Sequence, residues 1–376
     1  MGQYELAFAS LFETNMGIRP GERVLVFTDI IRDDELVSSE DFDRRNRLSK
    51  AAGELSVFAE KKYGNSMFTS FPSTAASGTE PPVSLWKALF GDTIVSRFKD
   101  SGLMESLLSK NLSEEGLKQA REIVTSFRGQ VANIVIALSN NSTSHTSFRR
   151  LACHAGARFA SLPHFDPEMF GTSMTVDWKA LAERTARLVE TVNRAEWLNV
   201  ECPNGTAMHI CKKGRHAEGD DGLLTADGAF GNLPAGEAYL APLEGESHGR
   251  MVIEWGPTAK LQSPLTLTIT DGVVTRIDGE DPLRQRLEAR FAESPNCRNL
   301  AELGIGTNDK ASRPDNVLEA EKILGTIHLA LGDNTGFGGK TAAPFHEDYV
   351  FYQPTVTLIM ADGKEDVIID NGKLQL

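Results

Sequence analysis

The sequence predicts two domains of different texture. Residues 1–195 read as an α/β domain with an open, mostly parallel sheet, and residues 196–376 as an α+β domain rich in antiparallel strands. Three observations carry this. At 376 residues the chain exceeds what a single core organises. In the first half, apolar strand-like runs alternate with helical patterns, as repeated β-α units do. Beyond Trp197 that rhythm gives way to short alternating strands closed by Asp-Gly and Asn-Gly turns.

Taken in order, the turn Arg19-Pro20-Gly21 leads into a strand at Arg23-Val24-Leu25-Val26-Phe27-Thr28. A polar, acidic stretch over residues 32–43 precedes a helical pattern over about residues 45–63. Met67-Phe68-Thr69-Ser70-Phe71 is the next candidate strand. The Ser/Gly/Pro-rich segment 72–82 is a loop long enough to carry function. Ser113 followed by Glu114 and Glu115 suits a helix start, with the helix running to about residue 128. Residues 131–138 form a continuous apolar run, as in a parallel strand buried on both faces. Asp177 caps a strong helix to about residue 193, with Leu181, Leu188, Val189 and Val192 on one stripe. In the second half, Asp271-Gly272, Asp362-Gly363 and Asn371-Gly372 mark hairpins between β-rich runs.

Charge and composition exclude several classes. With 39 basic against 52 acidic residues the net charge is −13 and the isoelectric point near 5.2. Such a chain repels phosphate backbones, and nucleic acid is not expected as a partner. No stretch approaches the roughly 18–20 apolar residues that a membrane span requires. The first residues lack the basic lead and long apolar run of a signal peptide, and Leu6 breaks the myristoylation pattern. Cys153, Cys202, Cys211 and Cys297 form no C-x-x-C pair, so a cytoplasmic protein with reduced thiols is expected.

The segment Gly336-Phe337-Gly338-Gly339-Lys340-Thr341 ends like a phosphate-binding loop. Asn334 stands where the first glycine is required, and Pro344 follows where a helix should begin, so the motif fails on context. The histidines and carboxylates say more. Period-two alternation places Thr326, His328 and Ala330 on one face of a strand, and His346 with Asp348 on one face of another. Residues i and i+2 of a strand lie about 6.5–7 Å apart, close enough for two side chains to converge on one cation. Glu237 enters an apolar run from the turn Leu233-Pro234-Ala235-Gly236, and Glu302 is flanked by small and apolar residues. A buried carboxylate meets a cation or neutralises. Taken singly, each of these residues equally suits a hydrogen-bonded histidine, a salt bridge or an exposed acid.

Together they resemble a family. Asn232-Leu-Pro-Ala-Gly-Glu237, Glu302-Leu-Gly-Ile-Gly-Thr-Asn308, Glu321-Lys-Ile-Leu-Gly-Thr-Ile-His328-Leu-Ala-Leu-Gly332 and His346-Glu-Asp348 are similar, in order and spacing, to motifs of the aminopeptidase T family of metallopeptidases. Ile18-Arg-Pro-Gly-Glu-Arg-Val-Leu-Val, Met174-Thr-Val-Asp-Trp-Lys and Cys202-Pro-Asn-Gly-Thr206 extend the likeness over most of the chain. The resemblance implies a two-metal site at the domain junction, with Glu237, Glu302, His328, His346 and Asp348 as ligands. Glu302 would bridge and Glu237 would be terminal, the two acids serving catalysis. Two zinc, cobalt or manganese ions would activate a water that hydrolyses the N-terminal peptide bond of short peptides. A homodimer is also implied.

One departure stands out. The family carries an active-site tyrosine seven residues after its first histidine, a position held here by Thr335, with Tyr349 and Tyr352 close by in sequence. Residues 30–43 also look like additional material. The same fold resembles that of iron(II)-dependent dioxygenases that open dihydroxypyridine rings, where a histidine stands in place of Glu302. That chemistry is the alternative expectation, and a non-catalytic relative is a third.

Overall fold

The computed structural model describes residues 4–257 and 259–376. The opening tripeptide, on which the reading of the N-terminus partly rests, lies outside the described residues. The chain divides into two compact units. One comprises residues 1–175 and 222–234, the other residues 176–221 and 235–376.

The first unit is built on a five-stranded parallel sheet. Its strands are β1 (Val24–Ile30), β2 (Ser66–Pro72), β3 (Ile134–Ala137), β4 (Arg158–Ser161) and, returning late in the chain, β8 (Phe230–Asn232). Their order is β2-β1-β3-β4-β8. The helices are α1 (Glu5–Ser10), α2 (Ser39–Tyr63), α3 (Val83–Asp100), α4 (Leu103–Leu108), α5 (Glu114–Ser126) and α6 (Ser147–His154). Leu25 and Phe27 of β1 join the apolar cluster formed by α3, α5 and α6. Val24 and Val26 are equally buried on the other face. Burial on both faces explains why β1 and β3 read as continuous apolar runs rather than alternating ones.

Helix α2 begins earlier than its periodicity suggests, because Ser38 caps it by accepting from the Asp41 amide at 3.1 Å. The acidic stretch before it is anchored. Glu35 pairs with the buried Arg45 and accepts from the Ser73 hydroxyl at 2.7 Å. The Arg45 guanidinium holds its carboxyl down at about 2.

The second unit contains α7 (Trp178–Val192), α8 (Pro282–Glu293), the short α9 (Val317–Ala320) and two antiparallel sheets. The larger sheet joins β5 (Ala195–Glu201), β6 (Ala207–Cys211), β10 (His248–Trp255), β11 (Lys260–Thr270), β12 (Val273–Asp278), β16 (Thr355–Met360), β17 (Glu365–Asp370) and β18 (Lys373–Leu374). The smaller runs β15-β14-β13-β9-β7, from β7 (Glu218–Asp220), β9 (Glu237–Leu240), β13 (Leu300–Gly306), β14 (Ile327–Gly332) and β15 (His346–Phe351). The sheets share one apolar cluster. Leu198, Val200, Met251 and Leu267 enter it from the larger sheet, and Leu303, Ile305, Leu329 and Phe351 from the smaller.

The structure therefore has the predicted classes, a parallel α/β unit and a unit rich in antiparallel strands. Its division differs from a single cut at residue 195. Leu188 and Val192 of α7 belong to the second unit's apolar cluster, and residues 222–234 return to add β8 to the parallel sheet. No helix among the described residues is long and apolar enough to cross a membrane.

Candidate metal centre

Strand alternation in the smaller sheet separates two chemistries. Ala238, Leu240, Leu303, Ile305, Ile327, Leu329, Leu331, Tyr349 and Phe351 supply the core face. The intervening residues Glu237, Glu302, His328 and Asp348 therefore point to the opposite face. Register then aligns them. Glu302 pairs with Ala330, and Ala330 with Asp348, so the two carboxylates stand in one row across three strands with only a methyl between them. In the next row His328 pairs with Gly304. A Cβ at Gly304 would clash with the His328 ring, so glycine there is what lets the imidazole lean across the sheet.

All five residues expected as ligands come from this one unit, and four of them cluster tightly around Glu302. One ligand atom from each of Glu237, Glu302 and His328 lies within 4.8 Å of the others, and the same holds for Glu302, His346 and Asp348. Glu302 belongs to both groups through its two oxygens. Its Oε1 is 3.3 Å from His328 Nε2, and its Oε2 is 3.4 Å from His346 Nε2. Glu237 Oε2 lies 3.5 Å from His328 Nε2, and Asp348 Oδ1 3.6 Å from His346 Nε2.

These separations are long for hydrogen bonds. They match the ~3.3–3.6 Å edge between two ligands bound at about 2.0–2.2 Å with tetrahedral angles. Glu237 Oε2 and Asp348 Oδ1 are buried without a hydrogen-bond partner, an arrangement that costs free energy unless a cation takes the lone pairs. The residues fit a metal.

The surroundings orient the ligands. His346 Nδ1 lies 2.7 Å from the Asp333 carbonyl, which can only accept, so Nδ1 carries the proton and Nε2 faces the carboxylates. Lys322, almost fully buried, sits 2.6 Å from Glu237 Oε1 and 2.8 Å from Glu321 Oε1. It leaves Glu237 one oxygen to offer. Electrostatics follow from this crowding. Burial alone would push His328 down, but the hydrogen bond to Glu302 and the charges of Glu237 and Asp348 carry it up to about 9. His346 is raised in the same way by Asp348 and Glu302 against burial. Burial, reinforced by Asp348 and Glu237, pushes Glu321 up to about 8 despite Lys322. The acidic face calls for positive charge.

Thr335 does not stand in for a catalytic tyrosine. Its amide and hydroxyl both donate to Asp333 Oδ1, at 3.1 and 2.9 Å. Tyr349 points into the core face and donates to Glu347 Oε1 at 2.6 Å, and Tyr352 packs edge-on against Trp255. The Gly336–Lys340 segment wraps Asn334 rather than opening a helix, consistent with its failure as a phosphate loop. Sequence reasoning missed Lys322, Asp333 and Phe337. Lys322 had a signal, a charged pair with Glu321 just ahead of an apolar strand. Asp333 acts through its backbone, which no residue type announces.

Residues 104–376 match the family described as NicX: 2,5-dihydroxypyridine 5,6-dioxygenase. No curated protein sequence matches the chain. Among solved structures it is similar to 2,5-dihydroxypyridine dioxygenase from Pseudomonas putida KT2440, at 17% identity and a TM-score of 0.67, covering 99% of this chain and 97% of that one. It is also similar to wild-type AmpT from Thermus thermophilus, at 15% identity and a TM-score of 0.61, covering 99% of each chain. At such identities both likenesses concern the fold, and the fold expected from the aminopeptidase T resemblance is present.

The hydrolase assignment is overturned. The family match points to an oxidoreductase, and a fold similar to both solved structures does not by itself fix the chemistry. The match includes every strand of the metal face, and by it the chain belongs to the NicX 2,5-dihydroxypyridine 5,6-dioxygenase family.

Proposed function

We propose that this protein is a metal-dependent dioxygenase that opens a hydroxylated pyridine ring, and that Glu237, Glu302, His328, His346 and Asp348 would hold two divalent ions, Glu302 contributing to both ligand groups. The family match over the whole metal face carries this reading. The donor set supports it. Imidazole mixed with carboxylate suits iron(II), manganese, cobalt or zinc, and paired histidines and carboxylates recur in di-iron proteins. Glu302 adds a third carboxylate to Glu237 and Asp348, so the face would offer three negative charges to a divalent metal.

Bound iron(II) supplies the one-electron chemistry that lets dioxygen react with an aromatic ring. The chain's own groups prepare the site. The Asp333 carbonyl holds the proton on His346 Nδ1 and keeps Nε2 directed inward. Lys322 fixes Glu237 by one oxygen and balances Glu321. The apolar core face beneath the strands excludes water from the ligands' base.

The test is anaerobic reconstitution with iron(II), manganese, cobalt or zinc, followed by addition of 2,5-dihydroxypyridine and air. Oxygen uptake with loss of the ring absorbance is expected with iron and absent with zinc. No uptake with any metal, together with release of amino acid from a short peptide, would overturn the proposal. Metal analysis of the same samples checks the count of two.

A further inference from the structure

Thr335 spends its hydroxyl on Asp333, and the same loop extends a different side chain toward the metal face. Asp333 Oδ2 accepts from the Ala343 amide at 3.0 Å, Asn334 Oδ1 from the Thr341 amide at 2.8 Å, and Asn334 donates to Glu244 at 3.0 Å. The base of the loop is thus braced by its own polar groups. Its tip, Gly336-Phe337-Gly338, carries one ring. Phe337 lies edge-on to His346, with centroids 5.8 Å apart at 88°, and edge-on to Tyr239 at 5.9 Å and 83°.

Tyr239 is not a chance neighbour. It pairs with Gly304, which pairs in turn with His328, so it stands on the metal face in the row of that imidazole. Its hydroxyl donates to Glu218 Oε2 at 3.2 Å, which fixes the ring.

We propose that Tyr239 and Phe337 form an aromatic wall that selects a flat, π-rich ring for the metal face. The inference rests on the dioxygenase reading and names the feature by which its substrate is recognised. Two rings nearly perpendicular at about 6 Å present a face and an edge together, the offset and T-shaped contacts that aromatic partners prefer. An extended peptide needs main-chain hydrogen-bond partners, and the polar groups at the base of this loop are already engaged, within the loop and with Glu244. A hydroxylated pyridine satisfies both sides of the site. Its oxygen meets the cationic centre and its ring meets the wall. Saturating the ring removes the second contact and keeps the first.

The experiment uses zinc-loaded protein, which supports no oxygen chemistry, and calorimetric titration with 3-hydroxypyridine and its saturated counterpart 3-hydroxypiperidine. The wild-type protein is expected to prefer the aromatic ligand. Phe337→Ala should weaken 3-hydroxypyridine about tenfold while leaving 3-hydroxypiperidine and the zinc content unchanged. Phe337→Tyr should restore the preference, and Phe337→Leu should not. Equal affinity of wild type and Phe337→Ala for 3-hydroxypyridine, loss of both ligands in parallel, or no binding of 3-hydroxypyridine by the wild type would each overturn the wall. A Phe337-dependent preference without oxygen uptake under any metal would leave the wall standing and remove the dioxygenase reading. Oxygen uptake with unchanged KM in Phe337→Ala would do the reverse.

Discussion

Glu302 and Asp348 face each other across β14, separated in their row only by the methyl group of Ala330. That spacing leaves room above the sheet for a cation reached from both sides. On the same face Gly304 yields to the His328 ring, and Gly332 pairs with His346.

Filling that space should therefore abolish metal binding. Ala330→Leu is expected to leave a folded protein that has lost metal, with overpacking costing ~1–3 kcal/mol. Metal content after dialysis, beside a circular dichroism spectrum, measures both. Full occupancy in the variant would mean that the row is not where the ion sits.

Removing a ligand should separate chemistry from stability. His346→Ala is expected to weaken metal binding by more than the roughly 10–100-fold typical of losing an outer-shell partner, with oxygen uptake lost and the melting temperature of the chelated protein little changed. His216, exposed on the second unit, is the control. Equal losses in His216→Ala would show that the effect at His346 is not coordination.

Lys322 is a buried cation between two carboxylates, and breaking such a group is costly. Lys322→Met should destabilise the metal-free protein by ~3–5 kcal/mol, because Glu237 and Glu321 are left without a countercharge. Added divalent metal should recover part of that loss by supplying the charge. Denaturant melts with and without chelator test this, and an unchanged midpoint in the metal-free variant would refute it.

The metal-free protein should lose stability as pH rises from about 6.5 to 9. The carboxylates lift His328 to about 9 in the folded state, above the ~6.5 of an unfolded chain. Its proton therefore stabilises the fold fully below pH 6.5, and that contribution disappears as pH passes through 9. Metal-loaded protein should not follow, because a coordinated imidazole is already neutral, and metal affinity should climb over the same interval. Thermal melts across pH, with and without chelator, measure the difference. Parallel curves would mean that His328 and the metal do not compete.

By itself the sequence determined the local layer of this protein. The β1 run, the Ser113 and Asp177 caps, the hairpins at Asp271-Gly272 and Asp362-Gly363, and the alternation that puts His346 and Asp348 on one face are dictated by neighbouring residues, whose periods and backbone preferences act over a few positions. Motif order also brought the five acidic and imidazole residues to notice. Only the tertiary structure decided how they meet. Glu302 and His328 lie on different strands, and the register that sets Gly304 beneath an imidazole and Ala330 between two carboxylates depends on pairing partners far apart in the chain. The same holds for Lys322, for the Asp333 carbonyl and for Phe337 beside Tyr239, whose roles arise from where the backbone carries them. Reaction class lay deeper still. One scaffold serves hydrolysis and oxygenation, so the motifs by themselves pointed to the wrong member of the pair, and the extended family match was required to separate them.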